Sequence, residues 1–273
     1  MTEVSVIVTT KNEEVNIKAC LESIRRQDYP AEKIEVIVID NNSTDRTKEL
    51  SLEYTNNVFN YGPERSAQRN FGVKKASGRY VLYLDADMQL SEEVLSECFN
   101  KCEKEGLIGL YIPEKIIGKG FWIKVRNFER SFYDATCIDA VRFVRKDKFL
   151  GIGGFDESLT GPEDWDFDRR IRQAGGVSII KSQIYHNEDG FNLKEYILKK
   201  CYYSQWFNLY KQKWGESDPV IKKQLGIWYR YVGVFTENGK WLKLVRHGVL
   251  TLGMFSLRIR IGVMYLRGSY NRN

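Results

Sequence analysis

No amino-terminal leader of the charged-then-apolar kind is expected for the 273-residue sequence, because Met1-Thr2-Glu3-Val4 runs straight into a strand-like apolar segment. Its five cysteines, Cys20, Cys98, Cys102, Cys137 and Cys201, are odd in number and scattered. That argues against a secreted disulfide framework and for reduced thiols in a cytosolic compartment. Histidine is scarcer still, and neither His186 nor His247 lies near the Cys98/Cys102 pair, so those two read as structural thiols rather than a metal site. The most apolar late stretch, Gly248 to Leu257, is interrupted by Arg258 and Arg260. A run of about ten residues cannot span a hydrocarbon core. With five prolines there is no Pro-rich linker, and no internal repeat or low-complexity tract is present.

What is present is an uneven charge. Residues 191–273 hold 15 basic against 4 acidic residues, a net +11, whereas the first 190 hold 27 against 32, a net −5. An acidic front and a basic tail point to two functional units. The expected division is a first domain at 1–190, with halves at 1–106 and 107–190, followed by a helical extension at 191–273.

The first half alternates strand and helix signals. Val4–Val8, Ile34–Ile39 and Tyr80–Leu84 are short, nearly continuous apolar runs of the kind buried in a parallel sheet, with a further strand near Val58-Phe59. Glu13–Gln27 and Ser66–Ala76 carry helical periodicity between them. The fold class expected is α/β, a mostly parallel sheet sandwiched by helices. Two carboxylates, Asp40 and Asp85, then fall just past the carboxyl ends of buried strands, the edge at which open α/β sheets bind ligands.

Asp85-Ala86-Asp87 follows one of these strands and precedes a helix expected to be capped by Ser91. Two carboxylates flanking one small residue can converge on a hard divalent cation, Mg²⁺ or Mn²⁺, that also takes substrate phosphates and water. Surface turns also contain Asp-x-Asp, so its position after an apolar strand is what lends it weight. A second acidic cluster, Gly161-Pro162-Glu163-Asp164-Trp165-Asp166, opens a helix expected over Phe167–Ala174. Acidic residues there can simply complement the helix dipole, or one of them can act as a general base toward a hydroxyl.

Taken together, Val4–Glu13, Asp40–Asp45, Arg65–Gly78, Leu84–Asp87, Gly153–Asp156 and Glu163–Asp164 resemble, in order and spacing, the family 2 glycosyltransferases of the GT-A fold. The resemblance covers about the first 190 residues and implies an inverting, nucleotide-sugar-dependent transferase, with 1–190 as the catalytic domain, 1–106 as its nucleotide-sugar half and 107–190 as its acceptor half. It places Thr9, Lys11 and Glu13 along the nucleotide pocket, Asp40 on the base (most often uracil), and Arg65 and Arg69 on the nucleotide and its diphosphate. It makes Asp87 the main metal ligand, with Asp85 toward the ribose or a metal-bound water. Asp164 becomes the catalytic base, and Glu163 and Trp165 shape the acceptor pocket. His186 stands where some relatives direct a histidine at metal or phosphates, with a purely structural histidine as the alternative. The sequence departs from the family pattern at Thr9-Thr10-Lys11-Asn12, where Pro-Thr-Tyr-Asn is common, and at Asp40-Asn41-Asn42-Ser43, where Asp-Asp-Gly-Ser is common.

The basic tail interleaves lysine and arginine with Tyr202, Tyr203, Trp206, Trp214, Trp228 and Trp241. Such a mixture suits a membrane interface. The expected setting is therefore peripheral, at the cytoplasmic face of the cell membrane, with a glycan or lipid-linked acceptor. An ordinary helical cap on the catalytic domain is the simpler reading of the same residues. Nucleic acid is not an expected partner, as no recognised binding module is present. A sugar nucleotidyltransferase would need a glycine-rich phosphate loop after the first strand, which Thr9–Glu13 lacks. Gly151-Ile152-Gly153-Gly154 does not open a βαβ unit, which argues against a dehydrogenase. A non-catalytic binding relative is the remaining rival, opposed by the intact Asp85, Asp87 and Asp164.

Overall fold

The computed structural model describes residues 1–270, with side chains through Met264; residues 271–273 of the expected extension lie outside the described residues. Among the described residues ten strands form, β1 (Val4–Thr10), β2 (Ile34–Asp40), β3 (Val58–Asn60), β4 (Tyr80–Asp85), β5 (Met88–Leu90), β6 (Gly109–Tyr111), β7 (Glu114–Ile117), β8 (Phe143–Arg145), β9 (Val177–Ile179) and β10 (Ile184–Asn187). The helices of the first 190 residues are α1 (Ile17–Arg25), α2 (Thr47–Leu52), α3 (Arg65–Lys75), α4 (Val94–Glu105), α5 (Phe121–Arg130), α6 (Lys146–Gly151) and α7 (Glu163–Ala174). The extension adds α8 (Leu193–Tyr203), α9 (Phe207–Trp214), α10 (Pro219–Leu225), α11 (Val234–Thr236), α12 (Trp241–Arg246) and α13 (Gly248–Tyr270).

A seven-stranded sheet runs in the order β3-β2-β1-β4-β8-β6-β9, and a three-stranded sheet runs β5-β10-β7. The β3-β2-β1-β4 half is parallel throughout, and β8 is the antiparallel strand that joins it to β6 and β9. Burial follows the two-residue period of a strand. On β1, Val4, Val6 and Val8 join a core with Ile17, Leu21 and Ile24 of α1 and Val94 and Cys98 of α4. Ile7 faces the other side, with Tyr83, Val73 of α3 and Phe167 and Ile171 of α7. Both faces of the parallel strands are thus covered, which is why the runs read as continuously apolar.

Three local expectations change. The helix expected from Glu13 starts at Ile17, because Asn12 has φ +54° and the amides of Asn16 and Ile17 both donate to the Glu13 carbonyl in a turn. Ser91 does not cap helix α4 with its side chain: Glu93 stands at the N-cap, and the Ser91 hydroxyl accepts the amide of Gln183 instead. The helix expected from Phe167 begins at Glu163, which puts Glu163, Asp164 and Asp166 in its first turn, where the N-terminal dipole favours negative charge.

The extension has its own apolar seam against the rest of the chain. Val125, Phe128 and Phe132 pack with Val234, Phe235, Met254 and Leu257, and Leu159 packs with Tyr210 and Ile221. Ion pairs fix the seam as well: buried Arg258 of α13 donates to Glu129 at 2.5 Å, and half-buried Arg169 of α7 donates to Asp218 at 2.6 Å. Among the described residues no disulfide joins any two cysteines.

Candidate active site

Parallel registry places the expected carboxylates side by side. Thr9 is level with Asp85, and Thr10 with Asp40, at the carboxyl ends of β1, β4 and β2. Helix α3 rises behind this edge. From its first turns Arg65 and Arg69, four residues apart and so on one helix face, point at the same carboxylate. Arg65 donates to Asp85 Oδ2 at 3.3 Å, and Arg69 donates to Asp85 Oδ1 at 3.1 Å, an oxygen that also accepts the Thr9 hydroxyl at 2.9 Å. Burial alone would raise the Asp85 pKa, but the two guanidinium groups reverse the sign and hold it well below the usual carboxylate range.

The same two arginines reach the second acidic cluster. The other amine of Arg69 donates to Asp164 Oδ1 at 2.7 Å, and Arg65 reaches Glu163 Oε1 at 3.5 Å and the Tyr203 hydroxyl at 3.3 Å. Arg69 has no exposed surface, and its guanidinium lies over the rings of Tyr83 and Phe155 at 4.8 and 5.2 Å. In this structure it therefore meets protein carboxylates and aromatic faces, whereas Arg65 keeps an exposed flank. Glu163 is buried, and burial together with the neighbouring Asp164 raises its pKa. Its second oxygen has no hydrogen-bond partner.

Asp87 lies one step further along. Antiparallel pairing of β10 with β5 sets His186 opposite Met88, and the His186 Nε2 sits 3.2 Å from Asp87 Oδ2. Its Nδ1 sits 2.9 Å from Glu114 Oε1, and Glu114 is itself held by Arg130 and Arg142. Burial opposes the charged imidazole, but the hydrogen bonds to Asp87 and Glu114 outweigh it and lift His186 to about 10. With a carboxylate at each ring nitrogen, His186 would have to release a proton from Nε2 before that nitrogen could offer a lone pair to a cation. Among the described residues no three histidine, cysteine or carboxylate side chains converge into a metal cage. Asp87 Oδ1 is nevertheless buried and unpartnered. One open carboxylate oxygen fits a hard cation completed by substrate phosphates and water, the usual arrangement for Mg²⁺.

The nucleotide-side residues are distributed less compactly. Asp40 is buried, and its two oxygens accept the Ser43 amide at 2.8 Å and the Ser43 hydroxyl at 2.5 Å. Glu13 accepts from Asn16 at 2.7 Å and its pKa is raised, chiefly by burial. Lys11 is exposed. Trp165, expected at the acceptor pocket, donates its indole N–H to Ile138 O at 3.1 Å and stacks on Phe207 of α9, so it joins α7 to the extension. Sequence reasoning missed two participants. Glu114, on β7, carries no motif signal at all. Tyr203, in the tail, reads there as one aromatic among many, yet it reaches Arg65 beside Gly161, whose φ is +104° and whose added Cβ would lie 2.6 Å from Tyr203 Cβ.

The sequence family described as Glycosyl transferase family 2 matches residues 5–157. Glycosyltransferase AglE of Haloferax volcanii is 41% identical over 188 residues, covering 63% of this chain and 62% of that protein. The GalNAc(5)-diNAcBac-PP-undecaprenol beta-1,3-glucosyltransferase of Campylobacter jejuni is 31% identical over 186 residues, 60% of this chain and 58% of that protein. The chain thus spans about three fifths of the length of these two relatives. In fold it is similar to the mannosyltransferase PcManGT from Pyrobaculum calidifontis, solved with GDP-Man and Mn²⁺, with a TM-score of 0.63, 20% identity and coverage of 97% of this chain and 87% of that one. It is also similar to TarS 1–349 of S. aureus in complex with UDP-GlcNAc, with a TM-score of 0.60, 21% identity and coverage of 93% and 79%.

Proposed function

This chain belongs to glycosyl transferase family 2, and from that premise we propose that it moves a sugar from a nucleoside-diphosphate sugar, UDP-linked by preference, to a hydroxyl of a glycan or lipid-linked acceptor, with inversion at the anomeric carbon. The observation that carries the reading is the pairing of Asp85 and Asp164 through one buried guanidinium, at the sheet edge where α/β folds bind ligands. It joins the donor-side and base-side acidic clusters through one side chain.

In this reading Asp164, with Oδ1 fixed by Arg69, accepts the proton of the acceptor hydroxyl as that oxygen attacks the anomeric carbon. The bond from that carbon to the diphosphate oxygen breaks on the opposite face, and the nucleoside diphosphate leaves. Arg65, partly exposed, is placed to offset negative charge developing on the departing diphosphate. Asp87, and His186 once it releases its proton, would hold Mg²⁺ or Mn²⁺, which supplies further positive charge to the leaving group. Asp40, Glu13, Thr9 and Lys11 are assigned to the nucleotide, and Glu163 to the acceptor side. The proposed division stays at residue 190, with Tyr203 of the extension meeting Arg65 across it. The proposed setting is the inner face of the cell membrane, contacted through residues 191–273. Among the described residues no helix is long and apolar enough to cross a membrane.

The test is a thermal-shift panel of UDP-, GDP- and dTDP-sugars, each with and without Mn²⁺, on wild type and Asp87→Ala. Stabilisation by one nucleotide class that needs Mn²⁺ and vanishes in Asp87→Ala is the expected result. If no donor stabilises the wild type, the transferase reading fails and a binding relative takes its place.

A further inference from the structure

Helices α12 and α13 each bury one face and leave the other bare. Leu244 of α12 packs on the seam formed by Val125, Phe132 and Phe235, while Trp241, Leu242 and Val245 on its other face are exposed. On α13 the inner face is Met254, Leu257 and Arg258, pressed close to α5 because Gly253 has no side chain: a Cβ there would lie 2.7 Å from Val125. Its outer face carries Val249, Leu252, Ile259 and Val263, whose spacings of 3, 7 and 4 residues keep them on one helical stripe. Val245, Val249 and Leu252 are 73%, 71% and 74% exposed. Contiguous apolar surface of this kind marks an interaction site.

The charge around the stripe selects its occupant. After Glu237 the sequence has no acidic residue, and residues 238–273 carry seven lysines and arginines. A second copy docked on this face would bring like charges together. Upright insertion is opposed too, because Arg258 in mid-helix is held inward by Glu129 and by the Tyr133 hydroxyl at 2.7 Å. A helix pinned on one side, apolar on the other and flanked by cations lies in the plane of a bilayer. We propose that the outer faces of α12 and α13 dock on an anionic lipid surface, with Val245, Val249 and Leu252 entering the acyl boundary and Arg246 and Arg260 meeting the headgroups. This rests on the membrane partner proposed above and narrows it to one face and one lipid charge, independently of the transfer chemistry.

The experiment is sedimentation of the full chain with vesicles of phosphatidylcholine alone and of phosphatidylcholine with phosphatidylglycerol. Wild type, a Val249→Glu/Leu252→Glu variant and an Arg246→Gln/Arg260→Gln variant are compared, with melting temperatures and solution mass measured alongside. Wild type is expected to bind the phosphatidylglycerol vesicles and to be released by salt. The apolar variant should lose that binding, and the charge variant should weaken it about fivefold per residue. Both should melt like wild type, as the altered side chains are exposed. Binding that survives in the apolar variant would overturn this face and leave membrane contact elsewhere on the extension. No binding by wild type would overturn the membrane partner as well. A wild-type dimer dispersed by the apolar variant would assign the face to a second copy and overturn the proposal.

Discussion

Arg69 donates to Asp164 at 2.7 Å from a position with no exposed surface. Its second amine holds Asp85 at 3.1 Å, so one side chain sets the distance between two acidic motifs 79 residues apart in sequence. The planar fork of arginine makes this possible, since it offers separate donors in a fixed geometry that a lysine ammonium does not.

Replacing Arg69 should therefore damage both stability and activity. Arg69→Met leaves two carboxylates facing each other with their buried partner removed, a loss expected at about 3–5 kcal/mol. Chemical denaturation of Arg69→Met and Arg69→Lys checks it, and lysine should restore stability better than activity if the fork geometry matters.

Asp164 itself has a more restricted role in the proposed chemistry. Asp164→Asn keeps shape and the ability to accept a hydrogen bond from Arg69, but it cannot take a proton. Turnover should fall by about 10²–10⁴-fold while donor binding is retained. A variant that transfers sugar at near wild-type rate would remove Asp164 from the base role.

Gly161 is where the extension touches the active-site loop. Its φ of +104° disfavours any side chain, and a Cβ would press on Tyr203. Gly161→Ala should cost about 1–3 kcal/mol in backbone strain alone and displace α8 from Arg65. Tyr203→Phe, which removes only the hydroxyl that Arg65 reaches, should spare stability and change the donor KM more than the melting temperature.

Asp168 gives a pH signature separate from the chemistry. It is buried on α7, accepts the Tyr111 hydroxyl at 2.6 Å and the Val141 amide at 3.2 Å, and burial raises its pKa to about 7. The folded state thus holds this proton more tightly than the unfolded chain, whose aspartates release it near 4. Its contribution to stability is full below about pH 4 and is lost as pH rises through about 7. Asp168→Asn mimics the protonated form, so between pH 5 and pH 8 the variant should lose less stability than wild type in urea titrations.

Much of the site could be read before any coordinates because parallel strands write their ends into sequence. A strand buried on both faces is a short apolar run, so the first carboxylate after it, Asp40 or Asp85, must lie at the sheet edge. Arg65 and Arg69 were named through the family resemblance; the helix expected from Ser66 begins one residue earlier, and that brings both onto one face of α3. The acidic first turn of α7 was legible as residues, although its helix begins earlier than the periodicity of Phe167 onward indicated.

The partners of those residues depended on long-range pairing that no local pattern encodes. His186 meets Asp87 only because β10 crosses to pair with β5 and β7, and Ser91 was drawn to Gln183 by the same crossing. Tyr203 meets Arg65 across 138 residues. The aromatic, basic composition of the tail was plain in the sequence, but which aromatics dock and which face outward was not. Trp165 stacks on Phe207 while Trp241 is left bare, a choice made by the seam that Phe132, Phe235 and Leu257 close. Composition fixes how much apolar surface a segment carries, whereas only packing against the rest of the chain decides which of its sides is buried.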